Sequence, residues 1–150
     1  MNPRKMPSPT GSAGKAVTGF AIVELLIVVT VVAILVSVAV PSFQRAIIKS
    51  RQTDAMELLY TVAHRQQQFF TRNNAYTSVT GESGINVATT SGGGYYTLTI
   101  TVPDPASSYT LSAVPVSGTS QANDTACGTF ALTSLGVKSV SGNQVSPPCW

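Results

Sequence analysis

Residues 19 to 41 read GFAIVELLIVVTVVAILVSVAVP, and this stretch decides the fold. From Phe20 to Val40 there are 21 positions and one charge, Glu24, with Thr30 and Ser37 the only other polar residues. At about 1.5 Å per residue such a helix is roughly 30 Å long, enough to cross the hydrocarbon core of a bilayer. A carboxylate inside that span costs about 2.5–3.5 kcal/mol even on the lenient insertion scale. Glu24 lies four residues after Phe20, hence on the same helical face. A cut between Gly19 and Phe20 would create an α-amino cation one turn from the carboxylate. Such opposite charges can pair between neighbouring copies, which offsets desolvation where the geometry is good. Glu24 then reads as a registration charge, costly alone and satisfied on assembly.

On the N-terminal side, residues 1–19 are rich in Pro, Gly, Ser and Thr and have no apolar stripe, the composition of an unstructured leader. Arg4, Lys5 and Lys15 lie there with no acid. After Gly19 come six bases (Arg45, Lys49, Arg51, Arg65, Arg72, Lys138) and six acids (Glu24, Asp54, Glu57, Glu82, Asp104, Asp124). The net charge of +3 therefore belongs to the leader. It is a positive-inside signal beside a membrane segment and poor support for nucleic-acid binding. A plain single-pass anchor gains nothing from Glu24. A secretory signal cut near Ser37-Val38-Ala39 would discard it and needs no apolar run this long.

On the C-terminal side the pattern predicts a continuing helix with a kink near Pro41, whose ring removes one intrahelical hydrogen bond. Ile47, Ile48, Ala55, Leu58, Leu59, Val62 and Phe69 form an apolar stripe, with Arg45, Lys49, Gln52, Glu57 and Arg65 mostly off it. The amphipathic half covers 41–74 and ends near Asn73-Asn74. Alternating β-branched and aromatic residues then predict strands at 95–102, 109–114 and 129–133. Pro103-Asp104-Pro105 is read as a turn, and Leu135-Gly136-Val137 as a turn into a short fourth strand. Residues 81–94 read as a Gly/Ser/Thr-rich loop. The expected class is α+β: one long helix, apolar over 20–40, packed through its amphipathic half on a small antiparallel sheet within 75–150. Cys127 and Cys149 lie beyond a membrane segment that would send the downstream chain outward, so a disulfide is expected. Its loop of about 20 residues is worth on the order of 3 kcal/mol in the chain-entropy model. A head this small needs such a staple.

The run from Gly19 through Phe20 and Glu24 into the apolar stretch and Pro41 resembles the type IV pilin family. The similarity is sharp over 19–72 and looser beyond. The C-terminal pieces around Cys127-Gly128 and Pro148-Cys149-Trp150 look like PilE-like minor pilins of type IVa pili. The resemblance implies cleavage after Gly19 and methylation of the new amine on Phe20 by a prepilin peptidase, with Glu24 pairing in the filament. It also implies major and minor pilin partners, an inner-membrane assembly platform, and an inner-membrane anchor with the head in the periplasm before assembly into a surface pilus. The implied roles are pilus assembly, twitching motility, adhesion or DNA uptake, with a pseudopilin of a type II secretion system as the alternative. The 19-residue leader is longer than those common in type IVa pilins, with Met6 as an alternative start.

The sequence offers no chemistry. Gly81-Glu82-Ser83-Gly84 is not a nucleophile elbow, and Gly92-Gly93-Gly94 lacks the Lys-Ser/Thr of a phosphate loop. His64 and two cysteines do not make a zinc set, and the Asp104 and Asp124 regions lack a calcium loop's ligands. No enzyme activity, metal or cofactor is expected. Arg45, Lys49 and Arg51 form a basic patch, read first as a solvated face or one pairing with Asp54 and Glu57 of neighbouring subunits; DNA or anionic-lipid contact is the less favoured alternative, and salt-dependent DNA binding by the fragment after residue 45 would support a nucleic-acid-binding module. Phe69, Phe70 and Tyr76 read as packing between helix and sheet. Trp150 reads equally as an exposed contact or a cap on the core.

Overall fold

The structure is a computed structural model that describes residues 22–143 and 148–150. It contains helix α1 (Ile22–Asn73) and strands β1 (Tyr96–Asp104), β2 (Ser108–Pro115), β3 (Phe130–Thr133) and β4 (Lys138–Val140). A short 3-10 helix, Ser120–Asn123, lies between β2 and β3. The chain divides into two compact units between Ala39 and Val40. Pro41 lies inside α1 and does not end it.

The first unit is the apolar part of α1. Its side chains are exposed on every face, from Ile22 and Leu26 to Leu35 and Val38. Its two hydroxyls turn back onto the helix: Thr30 Oγ1 donates to the Leu26 carbonyl (2.7 Å) and Ser37 Oγ to that of Ile34 (2.7 Å). Both polar groups are thereby satisfied without water, which a lipid-facing helix requires.

In the second unit, the rest of α1 buries Gln52, Ala55, Leu58, Leu59, Val62 and Gln66. The positions 52, 55, 59, 62 and 66 alternate by three and four, so the buried stripe runs one turn further at each end than its apolar members. Gln52, which the pattern of apolar residues puts off that stripe, lies on it. Its carboxamide can enter because it finds partners there. At the far end, Asn74 adopts φ 51° and donates its N–H to the Phe70 carbonyl (2.7 Å), a left-handed cap that stops the helix where expected. Gln66 then holds the departing chain at two points, donating to the Thr77 carbonyl (2.6 Å) and accepting from its N–H (3.2 Å).

The sheet is an antiparallel meander in the order β1-β2-β3-β4. Tyr96 and Leu98, then Tyr109, Leu111 and Ala113, then Phe130 and Leu132 supply its buried face. The first turn is displaced from its expected place. β1 continues through Pro103 to Asp104, which pairs with Ser108, and the turn is made by residues 105–107. Pro103 has no N–H, so the ladder slips between Thr101 and Asp104, yet the strand does not end there. Asp104 fixes the turn by accepting from the Ala106 N–H (3.0 Å) and the Ser107 hydroxyl (2.5 Å). At the β3–β4 turn, Gly136 at φ 79° occupies a conformation that costs a side chain energy.

Candidate functional site

No described His, Cys, Asp or Glu residues gather into a group that could hold a metal ion. Gly19 and Phe20 lie outside the described residues. Glu24 sits in the first turn of α1, where a helix dipole favours a negative charge, and its neighbours Val23 and Leu25 are exposed. Ile22–Asn73 is long and apolar enough to cross a membrane, and none of its apolar window is buried within the molecule. An apolar surface open on all sides needs another non-aqueous surrounding.

Cys127 and Cys149 form the expected disulfide, and both are buried. The loop before Cys127 is tied to α1 by a polar network that the sequence did not announce. Gln52 Nε2 donates to Asp124 Oδ2 (2.7 Å) and approaches Cys127 Sγ (3.1 Å), while Asp124 Oδ1 accepts the Cys127 N–H (3.2 Å). Gln121, fully buried, donates to the Tyr96 hydroxyl (2.8 Å) and the Ile48 carbonyl (3.3 Å). Its Oε1 has no partner among the described residues. Burial pushes the Tyr96 phenol above its ordinary range; the Gln121 bond opposes this, and the charges of Asp124 and Asp54 add to it. Asp54 accepts the Gly93 N–H with both carboxylate oxygens (3.2 and 3.1 Å), which binds the glycine run to the helix. Gln52 and Gln66 could have been found from the three-four spacing. Gln121 and Asp124 had no such signal, because their partners are far away in sequence.

The C-terminal aromatic is a cap. Trp150 packs edge-on against Phe130 (ring centroids 5.5 Å apart) and Tyr60 (6.1 Å), and its indole N–H donates to the Ser139 carbonyl (3.1 Å). Phe70 stacks on Tyr76 (4.5 Å), which meets Tyr109 edge-on (4.7 Å), so these rings do join helix to sheet. Two cations are spent on aromatic faces. Arg51 lies over Tyr95 (4.2 Å) and donates to the Ser120 hydroxyl, while Lys138 lies over Tyr60 (5.5 Å) and Trp150 (5.2 Å). His64 is exposed and contacts Gln68 (2.9 Å), as a solvated helix residue does. Arg45 and Lys49 remain exposed at the N-terminal end of the second unit.

A family model described as the type IV minor pilin ComP, DNA uptake sequence receptor, matches residues 41–131. The chain belongs to this family of type IV minor pilins. The pilin is also similar to the type IV major pilin protein PilA of Myxococcus xanthus (strain DK1622), 33% identical over 66 residues. That match takes in 44% of this pilin and 30% of PilA, so the chain spans about a third of its relative's length. A solved type IV pilin from Shewanella oneidensis is 27% identical, with a TM-score of 0.48 over 67% of this pilin and 99% of the other. The family's role is that of a structural subunit of a pilus, and the pilin carries a helix long and apolar enough to cross a membrane.

Proposed function

We propose that the pilin is made as a precursor with residues 1–19 as leader, cut after Gly19 by a prepilin peptidase that methylates the amine of Phe20. Residues 20–40 then hold it in the inner membrane, with residues 75–150 as a periplasmic head, until an inner-membrane platform moves it into a filament. The exposure of the apolar stretch on every face carries this reading. Lipid covers that surface before assembly, and the helices of other pilins cover it afterwards. In the filament Glu24 pairs with a neighbouring Phe20 amine, and Pro41 lets α1 bend as it packs. The role is structural, without catalysis.

Intact mass and N-terminal sequencing of the membrane-extracted protein test the processing. The expected result is a chain starting at Phe20 with one added methyl group; a start at Val40 would overturn it in favour of a cleaved signal peptide. Glu24→Ala should leave membrane insertion intact and reduce incorporation into pili. Normal incorporation of that variant removes Glu24 from the mechanism.

DNA uptake is a second reading, supported by the family description. The charge inventory limits where such contact could lie. Beyond Asn74 the head has one base, Lys138, against Glu82, Asp104 and Asp124. Phosphate contacts dominate DNA affinity, so binding would draw on the bases of α1. Affinity of the full chain for duplex DNA, measured across a salt series, decides this; no binding at low salt ends it.

A further inference from the structure

A cleft of about 710 Å³ opens between α1 and the loop that leads to the disulfide. Arg45 and Lys49, one turn apart on α1, line one wall, and Gln52 and Asp124 line the other part. The cleft therefore holds two exposed cations and a carboxylate that is 7% exposed. Asp124 meets only neutral partners, the Gln52 amide and the Cys127 N–H. A buried carboxylate is stabilised by a cation, and none reaches this one among the described residues. Each of its oxygens accepts one of these bonds, fewer than the roughly four that a carboxylate can take.

We infer that this cleft binds the phosphoethanolamine headgroup of a phospholipid, with the phosphate on Arg45 and Lys49 and the ammonium on Asp124. The headgroup carries an anion and a hydrogen-bonding cation joined by a two-carbon linker, which matches a cleft that presents both charges. Position along the chain bears on the two bases, of which Arg45 is the nearer to the apolar stretch. Along α1, Arg45 lies about 7 Å and Lys49 about 13 Å beyond Val40, at about 1.5 Å per residue. The polar layer on each side of a bilayer is about 5–7 Å deep, and long basic side chains reach back toward it. A phosphate alone would leave Asp124 unpaired, and a trimethylated ammonium could not donate a hydrogen bond to it. The inference rests on the membrane-held reading above and deepens it: the site would orient the pilin at the membrane surface before assembly.

The test uses the full-length chain in detergent, mixed with phosphatidylethanolamine, phosphatidylcholine and phosphatidylglycerol at equal mole fraction, with retained lipids counted by native mass spectrometry. Phosphatidylethanolamine should be retained about tenfold over the other two, the factor expected for one additional charged hydrogen bond. Asp124→Asn should remove its advantage over phosphatidylglycerol, and Arg45→Gln with Lys49→Gln should reduce retention of all three. Circular dichroism and an intact disulfide check the fold of Asp124→Asn; the wild-type comparison of ethanolamine with choline lipid needs no variant. Equal retention of ethanolamine and glycerol lipids, or tighter capture of a short duplex DNA than of either, marks a general polyanion surface and overturns the assignment. Insertion into bilayers is scored separately by flotation, so a pilin that inserts without lipid preference refutes the site and leaves the anchor standing.

Discussion

The two stretches of α1 on either side of Val40 use similar residues for opposite purposes. Between Ile22 and Val38, Leu, Ile and Val are exposed all around, with Leu26 at 61%. Between Gln52 and Gln66, Ala55, Leu59 and Val62 are fully buried against the rest of their own unit. One segment leaves its apolar surface open, while the other consumes its surface within the chain. The polar residues show the same division. Thr30 and Ser37 close onto their own helix, whereas Gln52 and Gln66 reach across to other segments. A helix can thus belong to a fold or to an assembly according to whether its apolar residues form a stripe or a full cylinder.

The strongest way to break that comparison is to truncate on one side only. Phe130→Ala empties a fully buried site under Trp150 and Tyr96 and should cost about 4 kcal/mol of head stability by denaturant unfolding, with membrane insertion unchanged. Val32→Lys acts on the other side. It should cost about 3 kcal/mol of insertion free energy near the helix centre, read by membrane fractionation, while the head unfolds as before. A large effect of Val32→Lys on head unfolding would show that the two regions are not independent.

Smaller changes sharpen the role of the polar contacts. Gln52→Ala removes the amide that faces the buried Asp124 carboxylate and should cost about 2 kcal/mol, measured by thermal unfolding with the disulfide intact. The smallest effect is expected at the β1–β2 turn. Hydrogen bonds from Ser107 and then Ala106 hold the Asp104 carboxyl below its ordinary range. A lowered folded-state pKa contributes stability above the unfolded value of about 3.9, and that contribution is lost as pH falls through the lower folded value. The melting difference between wild type and Asp104→Ala should therefore be small at neutral pH and disappear in acid. A difference that grows in acid would contradict this assignment.

Much of the architecture can be read along the chain. The length of the apolar run, the single acid in it, the stripe from Ala55 to Val62 and the alternation in β1 and β2 are local patterns tied to the geometry of helices and strands. The β1–β2 turn falls later than its sequence pattern suggests, because Pro103 and Pro105 both read as breakers. Only the pairing of Asp104 with Ser108 distinguishes a strand that tolerates a proline from one that ends at it. The cysteine pair can be anticipated from compartment and count. The contacts that hold the disulfide loop to α1 cannot.

By itself the sequence determined that α1 divides into an apolar cylinder and an amphipathic stripe, because side-chain periodicity fixes which faces can be wet. It also determined where the one charge in the apolar stretch lies, at Glu24. Tertiary structure alone decided that Gln52 and Gln121 are interior, that Asp124 is a buried carboxylate beside two exposed cations, and that Trp150 caps the sheet. Those outcomes depend on partners 72, 25 and 11 residues away. A polar side chain is buried only where distant groups satisfy it, and those groups meet only when the chain has folded.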